Sequence, residues 1–249
     1  MALNISSVLD ELNIQISNGY QEFFTENRVQ QLVDIMNTVK NDTFFPNISN
    51  IFRFTNIPVE NIKCIFVGQD PYANYKFSDE LKEDIVPEAT GRSFEVNSMN
   101  AWTDKIKQSS LRNILKSLYY LQTGEKETLE KIREKISSGC FFILSPHDWF
   151  NYLEEQGVMF LNTCLTVKKD EPGSHIELWN DFSNDLVRYL NEKNPKIQWI
   201  LAGKVAQNAI GPMVNNSICT SHPRLDSFVR ECPFKLVDDI DWFGKTMQT

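Results

Sequence analysis

Apolar positions recur at intervals of three and four in three stretches of the chain: Val29, Leu32, Val33 and Met36; Leu111, Ile114, Leu115 and Leu118; and Leu178, Trp179, Phe182, Leu186 and Leu190. That spacing draws one apolar stripe along a 3.6-residue period and predicts amphipathic helices lying over a core. Four other stretches, residues 62–67, 158–161, 197–201 and the weaker 217–220, are short apolar runs without alternation. Strands buried on both faces read this way, and the helical stretches between them supply the crossovers that parallel strands need. The expected fold is α/β, a three-layer domain with a short central four-stranded parallel sheet flanked by helices.

The residues just past each run carry the chemistry. The first run ends in Gly68, Gln69, Asp70, Pro71 and Tyr72, the second in Asn162 and Thr163, the third in Gly203 and Lys204, the fourth in Ser221, His222 and Pro223. In an open parallel sheet the C-terminal strand ends share one edge, and ligands bind in the crevice there. Gln69, Asp70, Asn162, Lys204 and His222 are therefore expected to converge. Asp-Pro and Asn-Thr are also common turn pairs, so capping of strand ends would account for any one of these residues alone. A carboxylate, two amides, a cation and an imidazole on one edge point together to a polar active site.

Composition narrows the class. The chain has 249 residues, 41% of them hydrophobic and 23% charged, with 17 Phe and 5 Trp, which excludes disordered and fibrous classes. The longest apolar run, residues 140–144, is far short of the roughly 18 residues that span a bilayer, so no membrane association is expected. The first residues have neither the basic start nor the long apolar stretch of a secretory signal, and an intracellular location, cytoplasmic or else nuclear, is expected. Cys64, Cys140, Cys164, Cys219 and Cys232 form no C-x-x-C pair and read as buried thiols of a reducing compartment. A net charge of −8 argues against nonspecific coating of nucleic acid but not against a local cationic site. There is no repeat, low-complexity tract or Gly/Ser linker, so residues 1–249 read as a single domain.

The chemistry left open is narrow. His147, His175 and His222 lack partners at ligand spacing, so no metal is expected. No phosphate-cradling, dinucleotide-binding or nucleophile-elbow motif is present. One carboxylate and one imidazole suit a hydrolysis in which the carboxylate orients water or stabilises a cationic transition state, while a polar donor stabilises the departing anion. The amides of Gln69 and Asn162 suit a planar, hydrogen-bonding substrate such as a nucleobase.

Five segments in order, Gly68-Gln69-Asp70-Pro71-Tyr72, Gly91-Arg92-Ser93-Phe94-Glu95-Val96, residues 157–167, Gly203-Lys204-Val205-Ala206-Gln207 and Ser221-His222-Pro223, resemble uracil-DNA glycosylase of the family 1 type. The resemblance runs from about residue 44 to 242, leaving a helical N-terminal region of about residues 1–43. It implies removal of uracil from DNA by hydrolysis of the N-glycosidic bond, without a cofactor. By matched position, Asp70 orients the attacking water and stabilises the oxocarbenium-like sugar. His222 hydrogen-bonds the uracil oxygen that gains charge. Phe94 stacks on the extruded base, Asn162 reads its edge, Gln69 helps to position base and water, and Tyr72 excludes the methyl group of thymine. Such an enzyme takes the base out of the stack and into a pocket. His175, which matches a family Ser-His pair, reads as structural.

The departures from the family pattern are equally specific. Ala73 stands where the family has a histidine near the DNA backbone. The stretch from Ala73 to Ser93 is 21 residues, longer than in the family and net acidic, and is expected to form an added loop or short helix near the mouth. Ser110 is the candidate phosphate contact at a helix start that has lost its proline-rich lead-in. In the intercalating segment, Leu225 is the candidate wedge and Arg224 a candidate charge-assisted phosphate contact. Lys168, Lys169, Lys204, Arg224 and Arg230 are expected to form a basic rim. The implied partner is uracil-containing DNA, single- or double-stranded, acted on by a monomer, with a proteinaceous inhibitor at the DNA-facing cleft as a further candidate. The alternatives are an adaptor module on the same fold with reduced or absent catalysis, binding replication or other proteins, and a glycosylase for another damaged base.

Overall fold

The computed structural model describes Asp10 and residues 19–78 and 84–244. Residues 1–9 and 11–18 of the expected N-terminal helical region, and the charged residues Asp79, Glu80, Lys82 and Glu83 of the acidic stretch, lie outside the described residues. In chain order the elements are α1 (Glu26–Val39), β1 (Phe44–Phe45), β2 (Cys64–Gly68), β3 (Tyr75–Phe77), β4 (Ile85–Pro87), α2 (Ser109–Thr123), α3 (Leu129–Ser137), α4 (Pro146–Glu155), β5 (Val158–Asn162), β6 (Val167–Lys168), α5 (Ile176–Lys193), β7 (Gln198–Ala202), α6 (Lys204–Ile210), β8 (Asn216–Thr220) and α7 (Asp226–Glu231), with short 3-10 turns between some of them.

The four apolar runs are β2, β5, β7 and β8, and they form one parallel sheet in the order β5-β2-β7-β8. Side chains alternate across it. Ile65, Val67, Met159, Leu161, Trp199 and Leu201 pack into one apolar layer with α1 and α5. Cys64, Phe66, Val158, Phe160 and Ile200 pack into the other, with α2, α3, α4 and α7. Burial on both faces is why β2, β5 and most of β7 lack a polar alternate, whereas β8 leaves Asn216, Ser217 and Cys219 exposed. The predicted helical stripes face these layers, with Leu111, Ile114, Leu115 and Leu118 fully buried on α2 and Trp179, Phe182, Leu186 and Leu190 buried on α5. On α1 the stripe runs through Val29, Leu32, Ile35, Met36 and Val39, and Val33 lies at its margin.

Two expectations are corrected. The helical layers that cover the edge strand β5 do not cover all of the opposite edge strand β8, so Cys219 is exposed, and Cys140 is exposed in the turn after α3; only Cys64, Cys164 and Cys232 are buried thiols. The extra stretch after Tyr72 is a β-hairpin where it is described: β3 and β4 pair antiparallel, Tyr75 opposite Pro87 and Phe77 opposite Ile85. Glu88, counted with its acidic surface, is buried and accepts hydrogen bonds from the Ser98 backbone N–H (2.9 Å) and hydroxyl (2.7 Å). Among the described residues no helix is long and apolar enough to cross a membrane.

Candidate active site

The parallel register aligns the strand ends. Gly68 pairs with Asn162 and Ala202 with Thr220, so the residues just past them leave one edge. With strands about 4.8 Å apart, the four ends span roughly 14 Å. Gln69, Asp70 and Tyr72 lie just after β2, Asn162 ends β5, and His222 lies just after β8. The two central loops are tied together: the Gln69 carbonyl accepts from the Cys164 N–H (2.8 Å) and the Thr163 hydroxyl (3.0 Å), and the Gly68 carbonyl accepts from the Thr163 N–H (3.0 Å).

Gly68 explains how Asn162 fits. A Cβ at Gly68 would lie 2.3 Å from Asn162 Oδ1 and 2.6 Å from Ser93 Cβ. The missing side chain is the space through which Asn162, itself buried, reaches over the strand end. Ser93 is fixed from two sides, its hydroxyl donating to the Phe66 carbonyl (3.1 Å) and its N–H to the Phe160 carbonyl (3.1 Å). The next residue, Phe94, is held at φ +68°, a conformation unusual for a bulky side chain and common at functional sites. Its ring lies 4.5 Å from that of Phe66, with part of it left exposed.

Asp70 and His222 carry opposite proton problems. Burial pushes the Asp70 carboxyl above its ordinary value, partly offset by the Gly173 N–H, which donates to Oδ2 at 2.8 Å, and by the aspartate's own N–H. Burial, and then the Arg224 charge, hold the His222 imidazole below its ordinary value. The Arg224 backbone N–H donates to His222 Nδ1 at 3.1 Å, so the ring is neutral with its remaining proton on Nε2. Gly203, at φ +92°, lets this loop come close, since a Cβ there would meet His222 Cβ at 3.1 Å. Burial raises the Tyr72 phenol, and the Asp70 charge raises it further, so it stays neutral.

The candidate DNA contacts lie beside this edge. Leu225, 50% exposed, leads into α7. Its loop is pinned to α2 by Asn113, whose side-chain amide donates to the Pro223 carbonyl at 2.7 Å. Ser110 sits one turn before Asn113, half-buried, and Arg224 is exposed. A cleft of about 640 Å3 adjoins them, lined by Arg112, Lys116, Lys126 and Arg224 but also by Glu127, Glu130 and Asp226, which leaves its charge near balance. The expected basic rim is thinner than its residue count: Lys168 is paired with Asp42 (3.4 Å) and Glu171 (3.2 Å), and Lys169 lies over the Tyr75 ring and near Asp170. Ala73 is buried with Phe45, Ala89 and Val167, and Tyr75 of the hairpin packs against them. Buried His175 is tied into the core: Trp179 Nε1 donates to the Thr166 hydroxyl (2.7 Å), which is hydrogen-bonded to His175 Nδ1 (2.9 Å).

Three features of the site are faint in the sequence. Gly173 orients Asp70 from 103 residues away, and only its Pro-Gly turn is visible there. Arg92 and Glu95, which flank Phe94, are buried ions, each side chain only 4% exposed, and His147 reaches Glu95 from α4. Their signal is two charges inside an otherwise apolar motif. Among the described residues no three His, Cys, Asp or Glu side chains gather as metal ligands.

The sheet edge thus carries a carboxylate, an imidazole and two amides, with the Phe94 ring beside them, a set of groups whose chemistry suits hydrolysis of a bond to a planar base. A model of the uracil DNA glycosylase superfamily matches residues 54–231, and the chain belongs to that superfamily. It is similar to the uracil-DNA glycosylase of Lachnoclostridium phytofermentans, 30% identical over 200 residues that cover 78% of this chain and 73% of the relative. Among solved structures, the UNG of Nitratifractor salsuginis shares the fold with a TM-score of 0.69 at 18% identity, over 96% of each chain. A mimivirus UNG variant in complex with UGI matches with a TM-score of 0.61 at 21% identity, over 89% of this chain and 73% of that one.

Proposed function

We propose that the protein excises uracil from DNA by flipping the nucleotide into the pocket and hydrolysing its N-glycosidic bond. Asp70, half-buried at the end of β2, orients the attacking water toward C1′ as the carboxylate and stabilises the positive charge that builds on the sugar as the C1′–N1 bond breaks. The bonding pair leaves with the base, the water oxygen bonds to C1′ and gives up a proton to Asp70, and His222 donates its Nε2–H in a hydrogen bond to the uracil oxygen that takes up the negative charge. Phe94 stacks on the base, Asn162 reads its edge, Gln69 helps to place base and water, and Tyr72 stands against a methyl group. A pocket built to hydrogen-bond one base leaves its buried amides unpaired with another. Leu225 fills the space that the flipped base vacates, and Ser110 and Arg224 bind phosphates.

The observation that carries this reading is the fixed tautomer of His222, a neutral donor across the sheet edge from Asp70. The mimivirus relative is in complex with UGI, which supports a proteinaceous inhibitor as a candidate partner of this chain. The test is release of free base from oligonucleotides bearing one uracil, thymine or cytosine at the same position. Release of uracil alone supports the reading; equal release of thymine or cytosine, or of none, refutes it.

A further inference from the structure

Phe94 is bracketed by two ions that the proposed chemistry does not use. Arg92 donates from Nη1 to both oxygens of Glu95 (3.2 and 3.3 Å) and from Nη2 to Asn151 Oδ1 (2.8 Å) and Glu154. Glu95 also accepts from the Thr90 hydroxyl (2.6 Å), and its Oε1 lies 3.1 Å from His147 Nδ1. The other ring nitrogen of His147, Nε2, lies 3.0 Å from the Asn97 carbonyl. A carbonyl only accepts, and a carboxylate only accepts, so both contacts are hydrogen bonds only when the ring carries two protons. A neutral ring has one N–H and must give up one of them, either the bond to Glu95 or the bond to the chain just beyond it.

We propose that His147 is a positioning residue for the excision reaction: as the imidazolium it holds Glu95 and Asn97, and through them fixes the Phe94 platform on which the base stacks. This rests on the reading of Phe94 as the stacking surface. Phe94 is strained at φ +68°, and such a residue stays in place only while its surroundings over-determine it. On its carboxyl side the surroundings are Glu95, Val96 and Asn97, and His147 grips this segment at two points. The charged groups facing His147 are Glu95 and Arg92 from the Phe94 loop, with Arg53 and Glu154 joined behind them at 3.2 Å. A polar cavity of about 260 Å3 adjoins them. The cluster holds three cations against two carboxylates when His147 is charged, so its grip comes from hydrogen-bond geometry and not from charge balance. The bond to Glu95 outweighs burial and raises His147 above its ordinary value, so the grip is present below the raised value and is lost as pH rises through it.

The coupling is testable in the wild-type protein, because linkage is reciprocal: if the charged ring favours base binding, base binding favours the charged ring by the same factor. Histidine NMR titration with and without free uracil is expected to show a higher His147 pKa in the complex. The Kd for uracil is expected to weaken toward alkaline pH by the matching factor, about tenfold for each pKa unit. In steady state, KM for a uracil oligonucleotide rises on the alkaline side while kcat changes little, and His147→Gln flattens that rise. A His147 titration unmoved by uracil, with superimposable KM profiles for wild type and His147→Gln, overturns the proposal. If wild type neither binds uracil nor releases it at any pH, the glycosylase reading has failed and this proposal falls with it.

Discussion

Gly68→Ala is the smallest change that separates the pocket from the fold. The added Cβ would lie 2.3 Å from Asn162 Oδ1 and 2.6 Å from Ser93 Cβ, where ordinary contact begins at 3.4 Å. Both neighbours have to give: the Asn162 amide retreats by about 1 Å, and the strand ends part by somewhat less to clear Ser93, which is held by two backbone carbonyls and sits next to Phe94. Overpacking of this kind costs roughly 1–3 kcal/mol of stability, which lowers Tm by only some degrees in a chain of this size. Displacing a positioning group by about 1 Å costs on the order of a hundredfold in rate, or about 2.7 kcal/mol of barrier. The assay is uracil release from a single-uracil oligonucleotide, run well below the variant's measured Tm, with cytosine and thymine oligonucleotides beside it. A folded Gly68→Ala protein should lose about two orders of magnitude in kcat/KM for uracil and lose discrimination against cytosine. A folded variant with wild-type kcat/KM and selectivity would refute the role of Gly68 as the space for Asn162.

Three further outcomes rest on individual residues. Burial raises the Asp70 pKa in the fold, so the folded state is penalised as pH rises through that value; Asp70→Asn should be inactive yet have a higher Tm than wild type at pH 7, with the gap closing under acid conditions, and a lower Tm at neutral pH would contradict the assigned burial cost. Leu225 is half exposed, so Leu225→Ala should leave Tm unchanged and lower kcat/KM on duplex substrate about tenfold, the worth of burying a leucine, with a smaller effect on single strands; equal loss on both would remove the wedge role. Ala73→His, which restores the family residue, should cost roughly 1–3 kcal/mol because the site is buried with Phe45, Ala89 and Val167, and a gain in DNA affinity without loss of Tm would show that the position faces the substrate.

The sheet and its edge were legible because both are local signals. Runs such as residues 158–161 are apolar throughout, since both faces are covered, and the polar residues after them had one edge to go to. Two helices were less legible, for different reasons. α4 does carry a start signal, Ser145 and Pro146 ahead of Trp149, Phe150 and Leu153, whereas α3 buries only Leu129 and Ile132 and is otherwise mostly Lys and Glu. The cysteine reading failed where burial depends on a neighbour: the run at 217–220 is an edge strand, and nothing in its own composition says that one face lacks a cover. The support of the site was the least legible part. Glu95 meets His147 across 52 residues and Asp70 meets Gly173 across 103, and pairings of that reach are set by the finished fold. Ala73 reads in sequence as a lost DNA contact and in the structure as a packing position beside the hairpin that this chain adds.

The most direct test of the central claim is the amount of free uracil released from an oligonucleotide with one uracil, opposite adenine, opposite guanine and single-stranded, by wild type, Asp70→Asn and His222→Ala. Release by wild type, falling by about a hundredfold to a thousandfold when the His222 donor is removed and at least as far in Asp70→Asn, is the expected result. Folded wild-type protein that releases no more uracil than Asp70→Asn would contradict it.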